Sequence, residues 1–376
     1  MIYFDSAATT PVDKEVVKYM SEILENVYGN PSSIHKLGQN AKAVIEKSRR
    51  KVAQSINANS GEIYFTGGGT ESNNLVLRGV LKKGDHFITS SVEHPAILKT
   101  LEYLESLGIS STVLKPNQFG QISLESIQNS IQYNTKLISI MYVNNELGTT
   151  NDIKNIGEFL NTKNIYFHTD AVQAVGKKSI NLEQLKVDFL SASAHKFYGP
   201  KGIGILYVRD KNKLNPLITG GGQERNLRSG TENISGIAGM GLALEIATKN
   251  LIFHNRHIIK LENQLLSELN SLKINYRRNG INQICGLCNI TFFDVPGQSL
   301  IVNLDLQGIA ISYGAACASG STKPSEIYNE IGIPKNEAEC TIRISIGRFN
   351  SSKEITKLIS ALNQIIPKIK REPINA

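Results

Sequence analysis

Ser191-Ala-Ser-Ala-His195-Lys196 leads small and hydroxylic residues out of a candidate buried strand and ends on a lysine, before the turn Phe197-Tyr-Gly-Pro-Lys-Gly202. Burial and neighbouring cations lower an ammonium from its ordinary value of about 10.4 and free the amine to condense with an aldehyde. A lysine merely exposed at a strand end is the alternative. Asp170 closes the apolar run Tyr166-Phe-His-Thr-Asp170. An acid at the carboxyl edge of a parallel sheet stands where ligands bind, and there it can keep a pyridine nitrogen protonated. A helix-capping role would use the same carboxylate. His168 and Asp170 have no third ligand at suitable spacing, so no metal is expected.

Gly67-Gly-Gly69-Thr70 lies between a strand and a helix, where free amide N–H groups and the helix dipole favour an anion. The run is neither a dinucleotide fingerprint nor a P-loop, so it specifies a phosphate without specifying a nucleotide; a glycine turn with a polar cap would look the same. Cys317 sits among small residues in Ser312-Tyr-Gly-Ala-Ala-Cys317-Ala-Ser-Gly-Ser-Thr-Lys-Pro-Ser325. A loop of that composition is expected to move and to expose its thiol, the strongest side-chain nucleophile near neutral pH. Cys285-Gly-Leu-Cys288 resembles half of a redox or zinc site but has no second pair, which favours packing.

These residues need a scaffold, and the pattern around them supplies an α/β one. Short β-branched runs, Ile63–Thr66, His86–Ser90, Ser111–Leu114, Leu137–Tyr142, Ile165–His168, Val187–Ser191 and Gly202–Arg209, read as strands. Amphipathic stretches such as Ala96–Glu105, Ser123–Ile131 and Ile153–Leu160 read as crossover helices of a mainly parallel sheet. Helical periodicity from Ile234 to Leu265 breaks near Asn250. The expected organisation is a large domain over 13–252 and a smaller α+β domain from 1–12 with 253–376, the latter carrying the cysteine loop at about 313–325.

Composition excludes several classes of function. The 376 residues are 40% hydrophobic and 20% charged, which argues against disorder. Forty-one Lys and Arg against 33 Asp and Glu leave +8, but the lysines are scattered among acids, and no basic motif interleaved with aromatics suggests nucleic acid. Four cysteines are too few for a disulfide framework, no apolar run reaches the length of a membrane span, and Asp5 interrupts any export signal. A cytoplasmic protein with no membrane partner is expected.

Together the motifs carry a resemblance that runs nearly end to end. Asp5-Ser-Ala-Ala-Thr-Thr-Pro11, Gly29-Asn-Pro-Ser-Ser33, Gly68-Gly-Thr-Glu-Ser72, Glu93-His94, Val143-Asn-Asn-Glu-Leu-Gly148, His168-Thr-Asp-Ala-Val-Gln173, Ser193-Ala-His-Lys196, Arg228-Ser-Gly-Thr231, the Cys317 loop and Arg343-Ile-Ser-Ile-Gly-Arg348 occur in order. The chain thereby resembles the NifS/IscS-type cysteine desulfurases, class V members of the aminotransferase superfamily with fold type I and pyridoxal 5′-phosphate (PLP) as cofactor.

That resemblance implies conversion of L-cysteine to L-alanine, with the sulfur left on Cys317 as a persulfide and passed to an acceptor protein such as an iron–sulfur scaffold. By the same resemblance Lys196 would carry PLP and move the Cα proton, Asp170 would pair with the ring nitrogen, Gln173 with the phenolic oxygen, and His94 would stack on the ring. Gly69, Thr70, Ser193 and His195 would hold the phosphate, completed by Thr231 of a second subunit in a homodimer, while Arg343 and Asn145 would orient the substrate. Where the family commonly has Ser-Gly-Ser-Ala before the nucleophile, this chain has Tyr313-Gly-Ala-Ala316. An aminotransferase, a selenocysteine lyase or a catalytically silent scaffold of the same fold are the competing readings.

Overall fold

The β-branched runs form a seven-stranded sheet in the computed structural model, which describes residues 1–313 and 324–370. The strand order is Ile63–Thr66, Gly204–Val208, Phe189–Ser193, Tyr166–Asp170, Thr135–Ser139, His86–Ser90 and Ser110–Leu114. Gly204–Val208 runs antiparallel to both its neighbours and every other pairing is parallel. The strands Ile63–Thr66, Phe189–Ser193 and Gly204–Val208 are buried along their whole length, as expected of a sheet covered by helices on both faces.

Two strands are displaced from their sequence-based positions. Leu137–Tyr142 was too late by the sequence pattern: the strand is Thr135–Ser139, and beyond it Ile140 and Tyr142 still donate to the His168 and Asp170 carbonyls. Apolar character continues there because the segment stays buried, although the neighbouring strand has ended at Ser90. Val187–Ser191 is replaced by Phe189–Ser193, because Asp188 is used in a turn, its amide donating to the Phe167 carbonyl and its carboxylate accepting from the Phe167 amide. That shift brings the strand end directly to Ser193 and the short turn Ala194–Lys196.

A three-stranded antiparallel sheet, Thr341–Ser345 against Leu287–Phe292 against Tyr276–Asn279, stands beside the large one. Its apolar cluster joins Phe4 to Leu261, Leu265, Ile290, Phe292, Ile342, Leu358 and Leu362. The N-terminal residues therefore pack with the second half of the chain, and Ile2–Tyr3 pairs in parallel with Ile309–Ala310. The helices Ile234–Lys249 and Leu251–Ser271 bend by 71° at Asn250, where the periodicity breaks. No single helix among the described residues is long and apolar enough to cross a membrane. The apolar face of Ile234–Lys249 is spent instead on the main core through Ile237, Met240, Ala243 and Leu244.

One buried ion pair locks the first half of the chain to a later loop. Arg49, with 4% of its side chain exposed, donates from both terminal nitrogens to Glu224, with 3% exposed, at 2.7 and 2.8 Å. Glu224 also accepts the Phe65 amide at 2.9 Å, beside the glycine turn. Glu224→Ala would strip the buried guanidinium of its bidentate partner, leaving among the described residues only the partly exposed Glu46 carboxylate, 3.1 Å from Nε, and is expected to destabilise the protein by about 3 kcal/mol. Chemical denaturation at pH 7 reads this directly; a midpoint within error of the parent would show that the pair contributes no net stability.

Candidate active site

The carboxyl ends of the parallel strands meet at one edge, and there the chain encloses a cavity of about 180 Å³. Gly69, Thr70, His94, Asn145, Asp170, Gln173, Ser193, His195, Lys196 and Arg343 all line it, so ten residues singled out by sequence converge from five loops and the small sheet. Thr231 does not; it lies exposed in the loop before the helix Ile234–Lys249. Cys317 lies outside the described residues, as does most of the loop assigned to 313–325.

Gly68 caps the helix Gly69–Val80 without a side chain, and the Gly69 and Thr70 amides have no acceptor among the described residues. A Cβ on Gly69 would come within 2.7 Å of Val172 Cγ2, so only glycine admits this approach. Ser193 and His195 face the same helix end. Burial, followed by the charges of Lys196, Lys201 and Lys177, lowers His195 to about 4. At neutral pH it therefore serves as an uncharged hydrogen-bonding group, with Nδ1 3.1 Å from Thr9 Oγ1.

Lys196 leaves the strand Phe189–Ser193 on the short turn and its Nζ donates to the carbonyls of Ala7 and Ala8 at 2.6 and 2.7 Å. Gln173 Nε2 donates to the same Ala7 carbonyl at 2.8 Å. Asp170 accepts from the Val172 amide at 3.0 Å and from Asn73 Nδ2 at 2.7 Å. Asn73 was not singled out by sequence, though it lies one turn beyond Gly69 on the same helix face, which was the available signal. Its Oδ1 is buried without a partner among the described residues.

His94 caps the helix Pro95–Ser106: its Nδ1 accepts the Ala96 amide at 3.0 Å, which leaves the proton of the neutral ring on Nε2. Glu93 beside it is buried, and burial pushes its carboxyl up to about 8, with the Asp170 charge adding to the effect. Glu93 is therefore largely uncharged at neutral pH, so it sets no second full negative charge beside the Asp170 carboxyl. His168, by contrast, holds no ligand position. Its ring bridges Ser139 and Ser191 at 2.7 and 3.0 Å, and burial lowers it to about 3.

Arg343 reaches the cavity from the strand Thr341–Ser345 with only 1% of its surface exposed. It donates to the Asn145 carbonyl and to Asp5 at 2.8 Å each, and to Ser312 at 3.1 Å, while its Nε has no partner among the described residues. Cys288 packs in the small-sheet core, where burial pushes its thiol up to about 12. Cys285 is only partly covered and is raised to about 11, first by burial and then by Glu262.

The family model for class-V aminotransferases matches residues 2–358. The chain belongs to the class-V aminotransferase family. Within it, the chain is 42% identical to the cysteine desulfurase IscS of Methanosarcina thermophila, across 98% of this chain and 93% of that protein. A solved NifS-like protein superposes with a TM-score of 0.91 at 35% identity, covering 98% of this chain and 99% of the other. The structure titled SspA in complex with cysteine superposes at 0.82 with 38% identity, over 93% and 100% of the two chains.

The donor set of this class-V aminotransferase fits the PLP that the resemblance implies. Unpartnered helix-end amides and a glycine-cleared surface suit a phosphate, Asp170 suits a protonated ring nitrogen, and the Lys196 amine opens on the same cavity.

Proposed function

We propose that this chain is a PLP-dependent cysteine desulfurase that converts L-cysteine to L-alanine and leaves the sulfur on Cys317. The observation that carries the reading is the convergence of Lys196, Asp170, His94 and Arg343 on one cavity, in a chain this similar to relatives named for that activity. Bound PLP supplies an electron sink beside the substrate Cα. Gly69, Thr70, Ser193 and His195 would hold its phosphate, Asp170 its ring nitrogen and Gln173 its phenolic oxygen, with His94 lining the same cavity. Lys196 Nζ would carry the cofactor and move the proton at the substrate Cα.

Arg343, with Asn145, grips the substrate carboxylate and so sets which Cα bond is cleaved. The Cys317 thiolate then attacks the substrate sulfur. An S–S bond forms, the C–S bond breaks with its electron pair returning to carbon, and protonation there yields alanine. One thiol and one cysteine thus become one persulfide and one alanine. The persulfide passes to a sulfur-acceptor protein such as an iron–sulfur scaffold. Thr231 completes the phosphate site across a homodimer, at the open groove that Gly69, Thr70, Ser193, His195 and Lys201 share. We take 13–252 as the cofactor-binding unit, and 1–12 with 253–376 as the unit bearing Arg343 and Cys317. The cytoplasm is the proposed compartment, on the low count of four cysteines in 376 residues.

Steady-state assay of alanine formation tests the substrate assignment. Arg343→Lys keeps the charge and loses the planar fork, and is expected to raise KM for cysteine about 10- to 100-fold with a smaller change in kcat. An unchanged KM would remove Arg343 from the substrate site.

A further inference from the structure

A second lysine stands behind the cavity, unused by the proposed chemistry. Lys177 lies in the turn after the strand Tyr166–Asp170, held there by its own amide to the Ala174 carbonyl and by Asn255 Nδ2 donating to its carbonyl at 3.0 Å. Its stem is partly exposed, but its ammonium is turned inward and enclosed by protein. Among the described residues no carboxylate pairs with it; its titratable and charged neighbours include Lys196, Cys285, Arg343 and His195. A buried ammonium without a counter-ion weakens a fold, so stability does not account for it.

Its one side-chain bond goes to the cofactor site. Lys177 Nζ donates to Gln173 Oε1 at 2.8 Å, and Gln173 Nε2 donates to the Ala7 carbonyl, which also accepts Lys196 Nζ. An amide has one accepting and one donating end, and an ammonium can only donate. Lys177 therefore dictates that the oxygen of Gln173 faces away from the Ala7 carbonyl and the NH₂ faces it. With Lys177 gone, no donor would remain to hold that oxygen, and the amide could turn its acceptor towards the Lys196 side.

We propose that Lys177 is a positioning residue of the cofactor site, holding the Gln173 amide with its N–H groups towards the Ala7 carbonyl and the phenolic oxygen of bound PLP. This rests on the PLP reading above. Burial, and then the charge of Lys196, bring the Lys177 ammonium down to about 7, with Cys285 opposing and Arg343 adding. The donor-only form, and with it the strictest control of the amide, prevails below that value.

The test is a pH titration of the visible absorption band of protein loaded with PLP. An N–H donor and a nearby cation both favour the deprotonated form of the bound cofactor, so their loss raises the midpoint. Lys177→Met is expected to shift it upward by about 0.5–1 pH unit. Lys177→Arg, which keeps a donor and a charge, should stay near the parent. Gln173→Met should shift the midpoint in the same direction, and adding Lys177→Met to it should move it little further. If Lys177→Met fails to fold, Lys177→Gln, too short to span the same gap, is expected to give the upward shift. An unmoved midpoint in the folded variants, or shifts that simply add, would overturn the proposal. A parent protein that stays colourless with PLP would instead overturn the cofactor reading itself.

Discussion

Lys196→Ala protein supplied with PLP is expected to stay colourless and to form alanine from cysteine at least about 10³-fold more slowly than the parent. Among the described residues Lys196 is the one lysine that lines the cavity, while Lys201 opens on the outer groove. The neighbouring amine, Lys177, is directed to Gln173 on the far side of the Ala7 carbonyl. The Lys196 Nζ bonds to Ala7 and Ala8 are lost with it, but those carbonyls border a cavity and can be solvated, so the fold should survive. Visible absorption and the alanine rate, measured on protein whose circular dichroism matches the parent, decide the matter. A yellow or active Lys196→Ala protein would assign the amine to another residue.

Cys317→Ala should leave the yellow colour and cofactor binding intact while lowering alanine formation by about 10²–10⁴-fold, the scale on which positioned catalytic groups act. The separation of the two effects is the point. On the proposed mechanism Lys196 serves the cofactor and every later step, whereas Cys317 serves only the step that takes the sulfur. A parent-like rate of sulfur release in Cys317→Ala would favour an aminotransferase or lyase without a protein persulfide. Loss of colour in the same variant would mean that Cys317 supports the cofactor site instead.

Much of this site was legible because strand ends announce themselves. Asp170 and Ser193-Ala-His-Lys196 each end or follow a strand that stays buried to its last residue, and in a parallel sheet such ends gather at one edge. The glycine turn was only half legible, since three glycines between a strand and a helix suit a plain capped turn as well as an anion. Strand boundaries were less so. Ile140–Tyr142 remain buried after the ladder is one-sided, and apolar character reports burial rather than pairing.

Side-chain connections between distant segments left no local trace. Arg49 meets Glu224 across 175 residues and Arg343 meets Asp5 across 338, and no periodicity in either segment forecasts the partner. Asn73 and Lys177 were missed for a different reason. Each lies beside a motif that was read, but its role depends on which way an amide or an ammonium turns once the N-terminal strand of residues crosses the cavity at Ala7 and Ala8. Thr231 stands exposed outside the cavity of the single chain, so its proposed role rests on a second one.

The central claim is that cysteine sulfur comes to rest on one protein thiol as alanine leaves. Mass spectrometry of the PLP-loaded protein, mixed with L-cysteine without reductant and digested, tests it most directly. The account predicts one extra sulfur atom on the peptide that contains Cys317, with one alanine formed for each modified chain. Alanine appearing while that peptide stays unmodified, or the extra sulfur residing on Cys285, Cys288 or Cys340, would contradict it.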